Sequence, residues 1–180
     1  MATRPKHGVT IFVQDVEKNL EYFTNTLGFT EVERQQMPDG STMHGLVAFG
    51  TGASAISVGM APIGGMSDME YDFGEFGRSI RDSPSTLGNG VFFYFTVPNV
   101  DKYYAKINSN GAIIDEPPTN QFWGDRTISV RTPDGYYLTF ATPIKGFKYP
   151  PESGVTVIKG GKTTKGRRTT TRRTTRSKKR

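Results

Sequence analysis

The sequence contains an internal repeat, and no other feature restricts the possible folds as strongly. Segment 12–18, Phe-Val-Gln-Asp-Val-Glu-Lys, parallels segment 95–102, Phe-Thr-Val-Pro-Asn-Val-Asp-Lys. Each begins like the end of an apolar strand and continues with an Asp or Asn, residue types that cap helix N-termini. Segments 27–29 and 110–112 also match, and each carries a Gly that can end the helix. We therefore predict two tandem modules of the same architecture.

The first module has the pattern β-α-β-β-β. Four apolar residues recur at helical spacing between Asp15 and Gly28, which predicts a capped helix that stops at the glycine. Runs of β-branched and aromatic residues, separated by turn residues, predict the strands. These strands are expected over residues 8–13, 29–34, 41–49 and 53–60.

The second module ends in a hairpin. Residues 126–131 alternate between apolar residues on one face and Thr127, Ser129 and Arg131 on the other. A Pro-Asp-Gly turn at 133–135 then reverses the chain. The other predicted elements are a strand at 91–97, a helix from 99 to before 111, a strand start at 112–115, a Pro-rich loop at 116–124 and a returning strand at 136–140.

The chain divides by composition into a domain and a tail. We assign residues 1–150 to one domain, with modules at about 7–60 and 90–143, and residues 151–180 to a basic low-complexity tail. Between the modules, residues 61–89 lose all periodicity, and we expect a connecting segment with one irregular helical turn near 73–80.

Composition excludes several classes of protein. The chain has no cysteine, which rules out disulfides, thiolate metal sites and cysteine nucleophiles. No run approaches the roughly 18 apolar residues that a membrane span requires, and the N-terminus lacks the pattern of a signal peptide. We expect a cytoplasmic protein without a membrane partner, or a nuclear one if the tail is a targeting signal.

These features together resemble the vicinal oxygen chelate superfamily, which includes glyoxalase I, extradiol dioxygenases and the bleomycin resistance proteins. The resemblance rests on the tandem modules, the helix start at 13–16, Tyr-Phe at 22–23, Leu-Gly-Phe at 27–29 and the hairpin at 131–136. It covers roughly residues 5–143. It implies an α+β fold in which two βαβββ modules form a cupped mixed sheet.

Enzymes of that superfamily hold a divalent metal with four inward-facing His, Gln or Glu side chains, one from each of four strands. The corresponding positions here are Gly8, Ser57, Phe92 and Thr139. None supplies an imidazole or a carboxylate, so the resemblance implies the fold without its usual metal. We therefore expect no metal, no other cofactor and no catalytic residue.

In place of a metal centre, we predict an aromatic groove with a few polar groups. The predicted ligand-binding residues are Trp123, Phe92, Tyr94, Phe49, Tyr137, Thr139, Ser57 and His44. Trp123 is the most informative of them, because it lies in a predicted loop beside Gly124, where a ligand lid is more expected than a core residue.

Three functions follow from this sequence. The first is a metal-free protein that binds or sequesters a small organic molecule, as a homodimer that completes the groove. The second is a metal-dependent lyase or dioxygenase whose ligands include His7 and His44, the chain's two histidines. The third is an interaction module whose basic tail binds nucleic acid or an acidic partner.

The charge of the chain is concentrated in the tail. Residues 151–180 hold 11 Lys and Arg against one Glu, a net charge of +10, whereas residues 1–150 hold 12 basic against 16 acidic residues, a net charge of −4. Without large apolar residues after position 158, the tail is expected to be disordered alone. Its candidate phosphate contacts are Arg167, Arg168, Arg172, Arg173, Lys178, Lys179 and Arg180. A solubility or targeting role is the alternative.

The nucleic-acid alternative predicts that the full chain binds DNA or RNA without sequence preference and that affinity falls steeply with salt. Deleting residues 155–180 is expected to abolish that binding, as measured by fluorescence anisotropy of a labelled duplex. Equal affinity of the truncated and full chains would exclude the tail as the contact.

Overall fold

A computed structural model describes residues 8–50, 56–62 and 87–157 of this chain, with only the backbone at 56, 57, 61 and 62. His7, the predicted helical turn near 73–80, most of the connecting segment and the candidate tail contacts lie outside the described residues. The chain divides into two units, Met1–Lys148 and Tyr149–Arg180. In the second unit, the described residues 149–157 include one 3₁₀ turn, Pro151–Ser153.

The predicted β-α-β-β-β order is confirmed in both modules. The first module comprises β1 (Gly8–Val13), α1 (Val16–Glu21) continued by a π-helical turn (Tyr22–Thr26), β2 (Thr30–Gln36), β3 (Thr42–Phe49) and β4 (Ile56–Pro62). The second comprises β5 (Phe92–Thr96), α2 (Val100–Ser109), β6 (Ile113–Asn120), β7 (Asp125–Arg131) and β8 (Tyr137–Pro143). None of the described helices is long and apolar enough to cross a membrane.

Both helices begin where the sequence predicts, because each has a side-chain cap. The Asp15 carboxylate accepts a hydrogen bond from the Lys18 backbone N–H at 3.0 Å. In the second module the Asn99 side-chain oxygen accepts the equivalent bond from Lys102 at 2.9 Å. Each cap satisfies a backbone donor that the first helical turn leaves without an intrahelical acceptor.

Each module forms its own four-stranded mixed sheet. The strand orders are β1-β4-β3-β2 and β5-β8-β7-β6. In both sheets the first and last strands of the module pair in parallel, and the remaining neighbours pair antiparallel. This arrangement leaves β1, β2, β5 and β6 with one strand neighbour each within the two sheets.

The predicted loop at residues 116–124 is wrong for its first five residues, because β6 continues to Asn120. Pro117 and Pro118 lack the N–H that a central strand needs. They are tolerated here because β6 is the outermost strand of its sheet and its pairing with β7 is irregular between Ile114 and Thr119. The extended β6 brings Glu116 onto the sheet.

One aromatic core joins the modules. Phe29 of the first module contacts Phe95 and Phe140 of the second, with ring centroids 5.4 and 6.4 Å apart. Phe49, at the end of β3, contacts the same two rings at 5.2 and 5.4 Å. Because these aromatic side chains lie in one continuous cluster with residues of both helices, one face of each sheet is buried.

Three tyrosine hydroxyls add polar links between the modules. Each donates a hydrogen bond to a backbone carbonyl of the other module: Tyr22 to Arg131 at 2.9 Å, Tyr103 to Leu27 at 2.7 Å and Tyr136 to Phe12 at 2.8 Å. Burial raises the pKa of all three hydroxyls, which keeps them protonated and able to donate.

The Pro-Asp-Gly turn of the second module also docks onto the first. Asp134 Oδ1 accepts a hydrogen bond from the Gln14 backbone N–H at 3.0 Å, and Oδ2 accepts one from Asn19 Nδ2 at 2.5 Å. Asn19 is fully buried, and its Nδ2 also donates to the Asp15 carbonyl at 2.8 Å. The turn therefore holds the start of α1 in place.

Replacing Asp134 with Ala is expected to lower the free energy of unfolding by about 2–3 kcal/mol, because a buried amide and a backbone N–H lose a charged acceptor. Urea unfolding followed by circular dichroism measures this change. The matched control is Asp39→Ala in the first module's Pro-Asp-Gly turn, where the carboxylate bonds to the neighbouring Ser41 at 2.9 and 2.6 Å. A loss of stability as large in the control as in Asp134→Ala would contradict this role for the turn.

Candidate functional site

The second sheet has one face in the core and one face directed away from it, which we call the outer face. Along β5, Phe95 is buried in the core, whereas Phe92 and Tyr94 are 66% and 38% exposed. This follows from the two-residue period of a strand, which sends alternate side chains to opposite faces. The outer face therefore presents aromatic side chains that the core does not use.

A pocket of about 400 Å³ lies on this face. Its lining residues come from all four strands and from the loop between β6 and β7: Phe92, Tyr94, Glu116, Gln121, Trp123, Thr127, Ser129 and Thr139. The strand register explains their meeting. Tyr94 pairs with Thr139, Thr139 with Ser129, and Ser129 with Glu116, so these four form one row across the sheet.

Hydrogen bonds fix the aromatic side of the pocket. Tyr94 donates its hydroxyl proton to Asp125 at 2.6 Å and accepts a longer bond from Trp123 Nε1 at 3.4 Å. Partial burial and the Asp125 carboxylate raise the pKa of the Tyr94 hydroxyl, so it remains a phenol. The Trp123 ring also meets Phe122 edge-on at 5.0 Å. These contacts hold the indole beside the tyrosine ring.

Gly124 anchors the loop that carries Trp123. Its φ of +100° is a conformation that L side chains rarely adopt, and a Cβ atom added there would lie 2.3 Å from the Phe147 ring. The Gly124 carbonyl also accepts a hydrogen bond from the Ile144 N–H at 2.8 Å. The close approach of Phe147 therefore requires glycine at this position.

The opposite side of the pocket is polar. Gln121 Nε2 donates to Thr127 Oγ1 at 2.9 Å and to Glu116 Oε2 at 3.3 Å. The hydroxyls of Ser129 and Thr139 lie 3.4 Å apart. The pocket thus combines an aromatic wall with hydroxyl, amide and carboxylate groups, an arrangement suited to an amphipathic organic molecule.

Four predicted site residues, Phe92, Tyr94, Trp123 and Thr139, come together in this pocket. Tyr137 lies on β8, as Thr139 does, but it does not line the pocket. The Arg131 guanidinium stacks over the Tyr137 ring, 4.4 Å from its centroid. Arg131 Nη2 also donates to Asp115 at 2.5 Å and to the Tyr137 hydroxyl. This ion pair occupies the neighbouring row of the sheet.

The remaining predicted site residues lie elsewhere. Phe49 packs in the aromatic core, because β3 ends where the modules meet. His44 is on the first module's sheet, where a Cβ added to Gly59 would lie 3.3 Å from its Nε2. Ser57 is in β4 of that sheet, paired with Gly8 and Ala48. The structure does not bring these three into the second-sheet pocket.

Sequence reasoning missed four lining residues. Thr127 and Ser129 carried a signal, because the alternation of β7 places them on the face opposite the apolar core residues. Glu116 and Gln121 gave no sequence signal of a site, because both lie in a segment that was predicted to be a loop. Only the continuation of β6 past its prolines reveals that they reach the pocket.

The donor set at the superfamily's metal positions does not fit a divalent metal. β1 places Gly8 opposite Ser57 of β4, and β5 places Phe92 opposite Tyr137 of β8, with Thr139 two residues further on. Glycine and phenylalanine have no ligating side chain, and neutral hydroxyls are poor substitutes for imidazole and carboxylate. Within residues 8–50, 56–62 and 87–157, no three His, Asp or Glu side chains are grouped to hold a metal ion.

A second pocket, of about 560 Å³, lies on the first module beside the start of α1. Its lining includes Glu17 and Arg34, which form an ion pair, and Asp15, which caps α1. Arg34 pairs with Glu17 and, at 2.8 Å, with Glu31. The Thr42 hydroxyl, which donates to Glu17 at 2.5 Å, and the Arg34 guanidinium lower the pKa of the Glu17 carboxyl. None of the predicted site residues lines this pocket.

Several solved structures have the same fold. TioX from Micromonospora sp. ML1 is 19% identical, with 77% of this chain and 99% of that chain covered and a TM-score of 0.54. A glyoxalase/bleomycin resistance protein/dioxygenase from Nocardioides is 19% identical, with 82% and 89% covered and a TM-score of 0.54. TnmS3, an antibiotic-binding protein from Streptomyces sp. CB03234, is 18% identical, with 79% and 98% covered and a TM-score of 0.52.

A comparison with curated protein sequences finds no match. The model of the Glyoxalase/Bleomycin resistance protein/Dioxygenase superfamily, by contrast, matches residues 6–140, most of the chain and both βαβββ modules. The two four-stranded sheets, their parallel first and last strands and this match confirm the resemblance that the repeat and the hairpin indicate. The chain belongs to the Glyoxalase/Bleomycin resistance protein/Dioxygenase superfamily.

Proposed function

We propose that this protein binds a small, flat organic molecule in the outer-face pocket and sequesters it without bond chemistry. The observation that carries the proposal is the partly exposed set of three aromatic side chains, Phe92, Tyr94 and Trp123, around a pocket of about 400 Å³. A ligand that covers exposed aromatic surface of this kind removes it from water, which makes the free energy of binding more favourable.

Two further observations favour binding over catalysis. The residues at the superfamily's metal positions offer hydroxyls at most, which removes the means by which its enzymes polarise a substrate. TnmS3, which has the same fold, is described as an antibiotic-binding protein. Ligand capture by this fold therefore has a precedent.

We further propose that a second copy of the chain covers the outer face and completes the groove. Phe122, whose ring contacts Trp123 of the pocket, is 76% exposed. Together with the pocket aromatics it forms an apolar surface that one chain leaves in water. Such a surface commonly marks an interface.

The binding proposal is tested by quenching of Trp123, the chain's single tryptophan. Acridine and 9-aminoacridine, two flat three-ring compounds, are expected to quench its fluorescence saturably. Phe92→Ala is expected to weaken binding about tenfold, because one stacking surface is lost. The control, Val91→Ala, removes exposed apolar surface beside Phe92 without touching the lining residues and is expected to bind normally.

Absence of quenching by both compounds, or equal loss in the Phe92 and Val91 variants, would contradict binding in this pocket. Stoichiometric Ni, Zn, Mn or Fe in the purified protein, lost together with an enzymatic activity on chelation, would overturn the metal-free proposal in favour of a lyase or dioxygenase.

The dimer proposal predicts that the chain sediments as a dimer in analytical ultracentrifugation. Phe122→Asp is expected to shift the equilibrium toward monomer, because a carboxylate would be buried in an apolar interface. Met37→Asp, at an exposed position in the β2–β3 turn, is the control and is expected to remain dimeric. A monomeric wild-type chain would exclude this interface.

A further inference from the structure

The outer-face pocket contains one ionisable group besides the tyrosine, the carboxyl of Glu116. Its Oε2 accepts a hydrogen bond from Gln121 Nε2 at 3.3 Å, and none of the described residues bonds to its Oε1. Glu116 is on the sheet row that ends in Tyr94, at the far side of the pocket from the aromatic wall. A ligand that spans the pocket would meet aromatic rings at one end and a carboxylate at the other.

The two arginines of β7, the strand that contributes Thr127 and Ser129 to the pocket, are held in ion pairs. Among the described residues that line the pocket, none is Lys, Arg or His. Arg131, one row away, is held by Asp115 at 2.5 Å and stacks on Tyr137. Arg126 is held by Asp101 through bonds of 2.8–3.1 Å. Among the described residues, no Lys, Arg or His forms an ion pair with Glu116.

A second carboxylate adds to the negative field. Asp125 accepts the hydroxyl proton of Tyr94 at 2.6 Å. A carboxylate hydrogen-bonded to the phenol makes the ring more electron-rich, and the Trp123 Nε1–H points toward the same hydroxyl. Electron-rich tryptophan and tyrosine faces attract cations, with tryptophan the strongest. An anionic ligand would instead be repelled at both sides of the pocket.

We infer that the ligand of this pocket is an organic cation, a flat ring system with a protonated nitrogen, and that Glu116 determines this charge preference. The inference rests on the proposed binding function and adds the chemical class of the ligand. The rings of Phe92 and Trp123 contact its flat part, and the Glu116 carboxylate accepts a hydrogen bond from an N–H group of the cation. Gln121 positions the carboxylate through Oε2 and leaves Oε1 for the ligand.

The test compares two probes of the same shape on the full chain by isothermal titration calorimetry at neutral pH. Acridine is uncharged under these conditions, whereas 9-aminoacridine is protonated. The wild-type chain is expected to bind 9-aminoacridine about tenfold more tightly than acridine, through one charge-assisted hydrogen bond and the cation–π contacts. Added salt is expected to narrow this difference, because the carboxylate is partly exposed.

Glu116→Gln keeps the size of the side chain and removes its charge. This variant is expected to bind the two probes within about threefold of each other, because the charged partner of the cationic probe is lost. Glu21→Gln is the matched control, because it removes the same charge from an exposed position at the end of α1. It is expected to keep the wild-type preference.

Acridine binding as tightly as 9-aminoacridine to the wild-type chain would overturn the inference and leave the pocket as a site for neutral molecules. An unchanged preference in Glu116→Gln would also overturn it. If neither probe binds the wild-type chain, the binding function itself fails. Acridine binding to the wild-type chain therefore distinguishes the two cases: it persists if only the charge preference fails, and it is absent if the binding function fails.

Discussion

The shared aromatic core is the contact on which the rest of this structure depends. Phe29 and Phe49 of the first module pack against Phe95 and Phe140 of the second, and both helices contribute to the same cluster. In each module the helix covers one face of its own sheet, and the aromatic cluster joins the two buried faces. The tyrosine hydroxyls and Asp134 then supply hydrogen bonds that fix how the modules meet.

The same packing explains why the candidate pocket lies on the outer face of the second sheet. With the inner face of the second sheet committed to the core, its outer face is left to Phe92, Tyr94 and the hydroxyl residues of β7 and β8. At the positions where superfamily enzymes hold a metal, this chain has Gly8, Ser57, Phe92 and Thr139, which are poor metal ligands. This supports our proposal of a binding protein, since the fold is retained while the chemistry of the site is different.

Much of the fold could be predicted from local sequence. Asp15 and Asn99 cap helices, glycines end them, and the Pro-Asp-Gly turn at 133–135 closes the last hairpin. Each of these signals acts between residues a few positions apart, so it needs no knowledge of tertiary structure. The start of β6 was predicted, but its continuation over residues 116–120 was not, because its prolines are acceptable only at the edge of a sheet, and an edge is a property of the whole module.

For the candidate site too, the sequence determined some features and the tertiary structure determined others. The sequence by itself determined which residue types are available: a single Trp in a loop, no cysteine, and no His or Glu at the metal positions. It also determined the alternation that sends Phe92 and Tyr94 to one face and Phe95 to the other. Strand register and module packing decided the rest. Phe49 packs against the core, His44 lies on the first sheet, and Glu116 lines the pocket. Sequence alone could not predict these positions, because residues distant in sequence meet only when the sheets are assembled.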